Sequence, residues 1–312
     1  MSTTTLFFPR ATRSRHEALL WRGTDELLAG TVPFIEGALA ADTPILVAVP
    51  ESTWEPIRSV LGKDADRVEY LDMARLGANP ARIIPAWLGF LAEHRRPARG
   101  IGESLWAGRR DAEAVECHVY EATVNLAIPA ETPLWLLCPY DAGALDAATI
   151  AEARRTHAAG SAGRAGTAHS AVHRRTLGAP LVPGTPRRTR CFAIRPGGLA
   201  KVREFVLDRC AAAGVGPDRT YDLALAINEL AANSLDHGGG RGDLRSWRDD
   251  DALYFEVRDA GRITDPLVGR TRPSVQQSRG RGLWLVNQLC DLLQVRSTRR
   301  GSTLRVVTWL HG

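Results

Sequence analysis

The chain has 312 residues, 44% of them apolar, and a formal net charge of +5, which is enough for about two folded domains. Almost all the positive charge is arginine, scattered rather than clustered, with lysine only at Lys63 and Lys201; the basic balance therefore points to no direct nucleic-acid contact. No stretch is long and apolar enough to cross a bilayer, and Met1 to Arg10 lacks the basic start and apolar run of a secretory signal, so a cytosolic protein without membrane contact is expected.

Residues 12–157 read as a first domain of alternating helices and strands. Asp25 to Ala40 is mainly helical, with Leu27, Leu28, Val32, Ile35 and Leu39 as apolar positions. Pro33 is expected to split this helix and to sit in the first turn of the second piece. Pro44-Ile45-Leu46-Val47-Ala48-Val49-Pro50 is a wholly apolar strand of the kind covered on both faces. Arg67 to Asp72 is a second strand, Arg82 to His94 a helix with Pro85 near its start, and Leu134 to Tyr140 another buried strand. This alternation predicts an α/β layer with a largely parallel sheet. The phosphate-loop pattern GxxxxGK[ST] is missing, so no nucleotide site is assigned to this half.

Cysteine occurs at Cys117, Cys138, Cys191, Cys210 and Cys290. The odd number and wide spacing fit reduced, buried thiols better than disulfides or zinc. Cys117 and His118 are neighbours in sequence, but adjacent helical side chains point apart. Residues 158–189 are mostly Gly, Ala, Ser, Thr, His, Arg and Pro with little apolar periodicity. They read as an exposed, flexible linker. His157, His169 and His173, in or beside it, read as solvated.

The second domain, 190–312, carries the chemistry. In Asn228-Glu229-Leu230-Ala231-Ala232-Asn233-Ser234-Leu235-Asp236-His237, the residues Glu229, Asn233 and His237 recur every four positions and share one helix face. Tyr254 to Asp259 alternates like a strand and ends in Asp259-Ala260-Gly261. An acid there can accept a hydrogen bond from an exocyclic amine. Next, Ser278-Arg279-Gly280-Arg281-Gly282 runs straight into an amphipathic helix, Leu283 to Leu289. Free N–H groups at such a helix start suit a phosphate chain, and glycine lets the backbone come close. Each piece alone has a plainer reading, as a solvated helix face, a turn or a loop. Their order and spacing favour a single site.

These three segments resemble the N, G1 and G2 boxes of the GHKL ATPases, the Bergerat-fold group, and most of all the anti-sigma-factor serine kinases. The resemblance implies an α+β ATP-binding domain over 190–312. It implies that Asn233 holds Mg²⁺ bridging the nucleotide phosphates, that Asp259 accepts from the adenine amine beside Gly261, and that Gly280, Arg281 and Gly282 wrap the phosphates. Glu229 falls where the family keeps its general base. His237 either joins the site or simply ends the helix before Gly238. Arg262 to Arg279 would be a lid that is mobile without nucleotide.

The first half resembles the MEDS sensory domain, a RecA-like α/β module. The resemblance rests on His16-Glu17-Ala18-Leu19-Leu20-Trp21, Gly37-Ala38-Leu39, Gly102-Glu103-Ser104-Leu105-Trp106 and Cys138-Pro139-Tyr140-Asp141. Such a fold binds ligands at the C-terminal strand ends, which makes His16, Glu103, Trp106 and Tyr140 candidates for lining a small-molecule site; packing is the competing role for Trp106 and Tyr140. Together the two resemblances imply a sensor-gated regulator of a sigma factor or its antagonist protein. It would act either as a serine/threonine kinase or as a nucleotide-dependent binding module without catalysis. Related short anti-sigma kinases are dimers, so a homodimer is compatible with the chain.

Overall fold

The computed structural model describes residues 13–157, 175–273 and 281–311. The chain divides into two units: Met1–Ala78, Ala86–Arg110 and Val124–Gly163 form the first, and Asn79–Pro85, Asp111–Thr123 and Arg164–Gly312 the second.

The first unit holds the strands β1 (Arg15–Trp21), β2 (Ile45–Val49), β3 (Glu69–Asp72), β4 (Ala98–Gly102) and β5 (Leu134–Asp141), in the spatial order β1-β5-β4-β2-β3. Every pairing is parallel. The early helices of the chain are α1 (Gly23–Ala40), α2 (Glu51–Leu61), α3 (Met73–Leu76), α4 (Ile83–His94), α5 (Asp111–Ala127) and α6 (Ala147–Thr156). All five residues of β2 are buried, as its unbroken apolar run predicts. Phe34 and Ile35 of α1 pack with Val47, Trp54, Ile57, Ile101 and Trp135. Pro33 does not split α1, which runs unbroken past it. The missing hydrogen bond is outweighed by the burial of Thr31, Val32, Phe34 and Ile35 around it. The glycines of β4 make room for the indole of Trp87: a Cβ at Gly100 would lie 2.6 Å from that ring.

The second unit holds β6 (Arg190–Ile194), β7 (Gly242–Arg248), β8 (Ala252–Asp259), β9 (Leu292–Thr298) and β10 (Gly301–Trp309), in the order β6-β7-β8-β10-β9, all antiparallel. Among the described residues after β6 its helices are α7 (Leu199–Ala213), α8 (Pro217–His237) and α9 (Arg281–Leu289). Val202, Val206, Leu223, Ile227, Leu230 and Val286 from the helices meet Phe255, Val257 and Val306 from the sheet in one apolar core. This is the α+β arrangement expected from the sequence.

The sheet also buries charge. Arg305 and Glu256 are both 0% exposed and are joined by two hydrogen bonds, of 2.6 and 3.1 Å. Burial pushes the Glu256 carboxyl up, but the hydrogen bonds and charge of Arg305 prevail and hold it below its ordinary value. Residues 176–185, expected to be exposed, lie along this polar surface. Leu177 joins the apolar core. The Ala179 carbonyl accepts from Arg296 at 2.7 Å, and the Thr185 hydroxyl donates to Glu256 at 2.9 Å. Arg296 and Arg305 need acceptors once buried, and an irregular strap with free carbonyls supplies them.

The two earlier segments of the second unit act in the same way. Glu116 accepts from Arg296 at 2.5 Å and from Arg270 at 2.9 Å, all three groups being buried. Arg82 donates to the carbonyls of Asn287, Gln288 and Cys290 at 2.9 to 3.0 Å. It thereby satisfies the last turn of α9 with a cation at the helix C-terminus, where the dipole favours one. Among the described residues no helix is long and apolar enough to cross a membrane. The five cysteines, all described, form no disulfide, and four are buried as expected; Cys191, on β6, is exposed.

Candidate functional site

The helix α8 starts at Pro217, whose ring suits the first helical position, and ends at His237, with Gly238 as its cap. Its buried stripe is Leu223, Ile227, Leu230 and Ser234. Glu229 and Asn233 flank that stripe half-buried, and His237 is exposed in the last turn. Ser234 is the informative member: its hydroxyl donates to Asp259 Oδ2 at 2.6 Å, while the Gly261 N–H donates to Oδ1 at 2.9 Å. The carboxylate at the end of β8 is thus fixed in direction, and each oxygen keeps a lone pair for another donor.

Glycine is required around this acid. A Cβ at Gly238 would meet the Asp259 carboxyl carbon at 2.6 Å, and one at Gly261 would meet the His237 carbonyl at 2.7 Å. Gly282, in the first turn of α9, stands against α8: a Cβ there would lie 3.0 Å from Glu229 Oε2 and 3.3 Å from Asn233 Nδ2. Segments about fifty residues apart in sequence therefore close on one another. Arg281 opens α9 and is exposed. Gly280 lies outside the described residues.

Between these elements is a cavity of about 320 Å³. Asn233, His237, Asp259, Gly261 and Gly282 line it, with Ile263, Val268, Leu283 and Leu304 as apolar walls. A flat, partly apolar ring with an exocyclic amine suits such walls beside a fixed carboxylate. The α9 N-terminus offers backbone donors for an anion, and the Asn233 amide oxygen is a hard ligand of the kind magnesium takes. A larger cavity of about 510 Å³, lined by Arg188, Arg190, Arg209 and Arg248, has no acid in its wall. The smaller one gathers the convergent groups.

The chain after β8 is anchored. Ser302 donates to the Gly261 carbonyl at 2.9 Å, Ser297 accepts from the Ile263 N–H at 2.9 Å, and the two hydroxyls are 3.0 Å apart. Asn287 donates to the Gly269 carbonyl at 2.9 Å. The expected lid at 262–279 is therefore pinned over its first part, and residues 274–279 lie outside the described residues. Ser234, Ser297 and Ser302 are absent from the residues proposed from sequence. The signal for Ser234 is a hydroxyl on an otherwise apolar helix stripe; the pairing of Ser297 with Ser302 follows only from strand register.

In the first unit, His16 and Tyr140 come together around a residue read from sequence as solvated. His157 is buried, its ring 4.0 Å from that of His16 and 5.5 Å from that of Tyr140. The reason is local: the ring folds back at the end of α6, with Nδ1 2.7 Å from the Ala153 carbonyl. His169 and His173 lie outside the described residues. Glu103 follows β4, where burial pushes its carboxyl up to about 7 against a hydrogen bond from Thr53, with Asp141 adding to the rise. Trp106 stacks under the Arg109 guanidinium at 4.2 Å, a cation–π contact.

Residues 15–158 match the family model described as MEDS, "MEthanogen/methylotroph, DcmR Sensory domain". Residues 192–308 match the histidine kinase-like ATPase domain. Among solved structures the chain is similar to the RsbU and RsbW domains of Rv1364c from Mycobacterium tuberculosis, at 13% identity over 45% of this chain and 40% of that one, with a TM-score of 0.30. It is also similar to the Acinetobacter baumannii histidine kinase AdeS, at 13% identity over 54% of this chain and 87% of that one, with a TM-score of 0.25. Comparison with curated proteins gave no match.

Proposed function

We propose, for a chain that carries a MEDS domain followed by a histidine kinase-like ATPase domain, that the second unit binds ATP with Mg²⁺ and controls a sigma factor or its antagonist. The observation that supports this most is the meeting of α8, the end of β8 and the start of α9 around one cavity. In this reading Asp259, held by Ser234 and Gly261, accepts from the adenine amine. Ile263, Val268, Leu283 and Leu304 cover the ring. Asn233 holds the cation, and Arg281 and Gly282 face the phosphates. Bound magnesium supplies charge neutralisation on the phosphates. Glu229, next to Gly282, takes the proton from an attacking serine or threonine hydroxyl of a partner protein. Phosphorylation would then change that partner's affinity through its added charge. The sigma-factor assignment rests on the likeness of the boxes to anti-sigma serine kinases.

Calorimetry of Mg²⁺-dependent ATP binding to the intact chain tests the site. Asn233→Ala should weaken binding at least tenfold, about 1.4 kcal/mol. Unchanged affinity in that variant would sink the assignment. Glu229→Gln should keep ATP binding and abolish transfer of labelled phosphate. If partner control persists in Glu229→Gln, the domain works as a nucleotide-dependent binding module and catalysis is not its mechanism.

A further inference from the structure

Three side chains of the first unit converge although they lie far apart in sequence. His16 is on β1, Cys138 on β5, and His157 caps the C-terminus of α6. The parallel register sets His16 opposite Leu136, two residues before Cys138 and on the same face. His16 Nε2 lies 3.2 Å from Cys138 Sγ, and the two imidazole centroids are 4.0 Å apart. One ligand atom from each of the three falls within 4.8 Å of the others. Cys138 and His157 are buried.

The rings are oriented from outside the cluster. His157 Nδ1 faces the Ala153 carbonyl at 2.7 Å. A carbonyl only accepts, so Nδ1 carries the proton and Nε2 the lone pair. His16 Nδ1 meets Asn125 Oδ1 at 3.0 Å, which sets the same tautomer. Metal-binding histidines are held in this way, with the remote ring nitrogen donating to an oxygen. Two imidazoles and a thiol form a borderline-to-soft donor set, unlike the oxygen ligands that magnesium or calcium takes. Zinc bonds of about 2.05 Å to nitrogen and 2.3 Å to sulfur at a tetrahedral angle separate the two ligands by roughly 3.5 Å. The observed spacing needs little movement to reach that.

We propose that His16, Cys138 and His157 bind one closed-shell d¹⁰ cation, Zn(II) or Cu(I). On loading, the Cys138 thiol gives its proton to solvent and a sulfur–metal bond forms beside two nitrogen–metal bonds. No oxidation state changes. The cation would tie the first strand of the unit to the residue after its last helix.

The test uses the full chain, tag-free, stripped with chelator and reloaded in separate arms with Zn(II) or, under anaerobic reductant, Cu(I). Metal per chain is measured by mass spectrometry after exhaustive dialysis, and melting temperature is followed alongside. About one equivalent and a raised melting temperature in either arm are expected. Cys138→Ser and His157→Gln should each lose both, while Cys191→Ser, a change to the exposed thiol, should keep both. Circular dichroism and a cooperative melt matching those of the metal-stripped wild type show that the two site variants are folded. No retained metal in either arm would overturn the proposal. So would equal retention in Cys138→Ser and His157→Gln, which would mark the metal as adventitious. Replacement by Co(II) offers a readout independent of stoichiometry: a thiolate-to-cobalt charge-transfer band present in the wild-type chain and absent from Cys138→Ser supports the site.

Discussion

At Gly282 a single methyl group separates structure from chemistry. The Cβ of Gly282→Ala would press on Glu229 Oε2 at 3.0 Å and on Asn233 Nδ2 at 3.3 Å, and both are ends of side chains that can swing away. The fold should survive, with a stability change under about 1 kcal/mol. Mg²⁺-ATP affinity should fall roughly tenfold, because the two side chains are displaced where the ligand needs them. An alanine variant binding like wild type in calorimetry would show that Gly282 does not face the ligand. Glu103 makes a different prediction. Its folded-state pKa of about 7 lies above the ordinary 4.5, so stability is full below the unfolded value and is lost as pH rises from about 4.5 to 7. Melting temperatures of the intact chain should decline across that window. In Glu103→Gln the decline should be smaller, the gap reaching on the order of 3 kcal/mol. Parallel pH curves for the two proteins would refute the raised pKa.

Among the elements, those with a strong period or an unbroken apolar run were legible before the structure: β2, β5, β8, α4 and α8 fall where the sequence predicts them. That Asn233, His237, Asp259, Gly261 and Gly282 would gather around one cavity was legible too, from the order and spacing of the three segments that carry them. The strap at 176–185 was not. Its composition is that of a linker, and what holds it is the demand of Arg296 and Arg305 for acceptors, a property of the partner strands. The unbroken α1 escaped because Pro33 is overridden by burial. The polar layer under the strap is a liability once one member is removed. Glu256→Gln leaves Arg305 buried with its counter-charge gone and should cost about 3–5 kcal/mol in urea unfolding. In the native chain this contribution comes from a depressed carboxyl pKa; it is present above the unfolded value and lost as pH falls through the folded one. The variant should therefore show a weaker loss of stability on acidification than the wild type.

On the scale of the whole molecule, the second unit is not a continuous stretch of chain. Glu116 answers Arg270 and Arg296, and Arg82 caps α9, yet both come from segments that precede the rest of the unit. A fragment of residues 164–312 keeps the arginines and loses their partners. It should unfold at lower urea than the second unit within the intact chain, by several kcal/mol; equal midpoints by circular dichroism would show that the early segments are dispensable. The same arrangement bears on how the protein is made. Glu116 and Arg296 lie 180 residues apart, so at roughly 5–20 residues per second a ribosome delivers the acid about 9 to 36 s before the arginine it neutralises. During that interval α5 has emerged and its ion pairs cannot form. Until β9 has been made the unit cannot close, which leaves its earlier segments exposed to chaperones and proteases for that time.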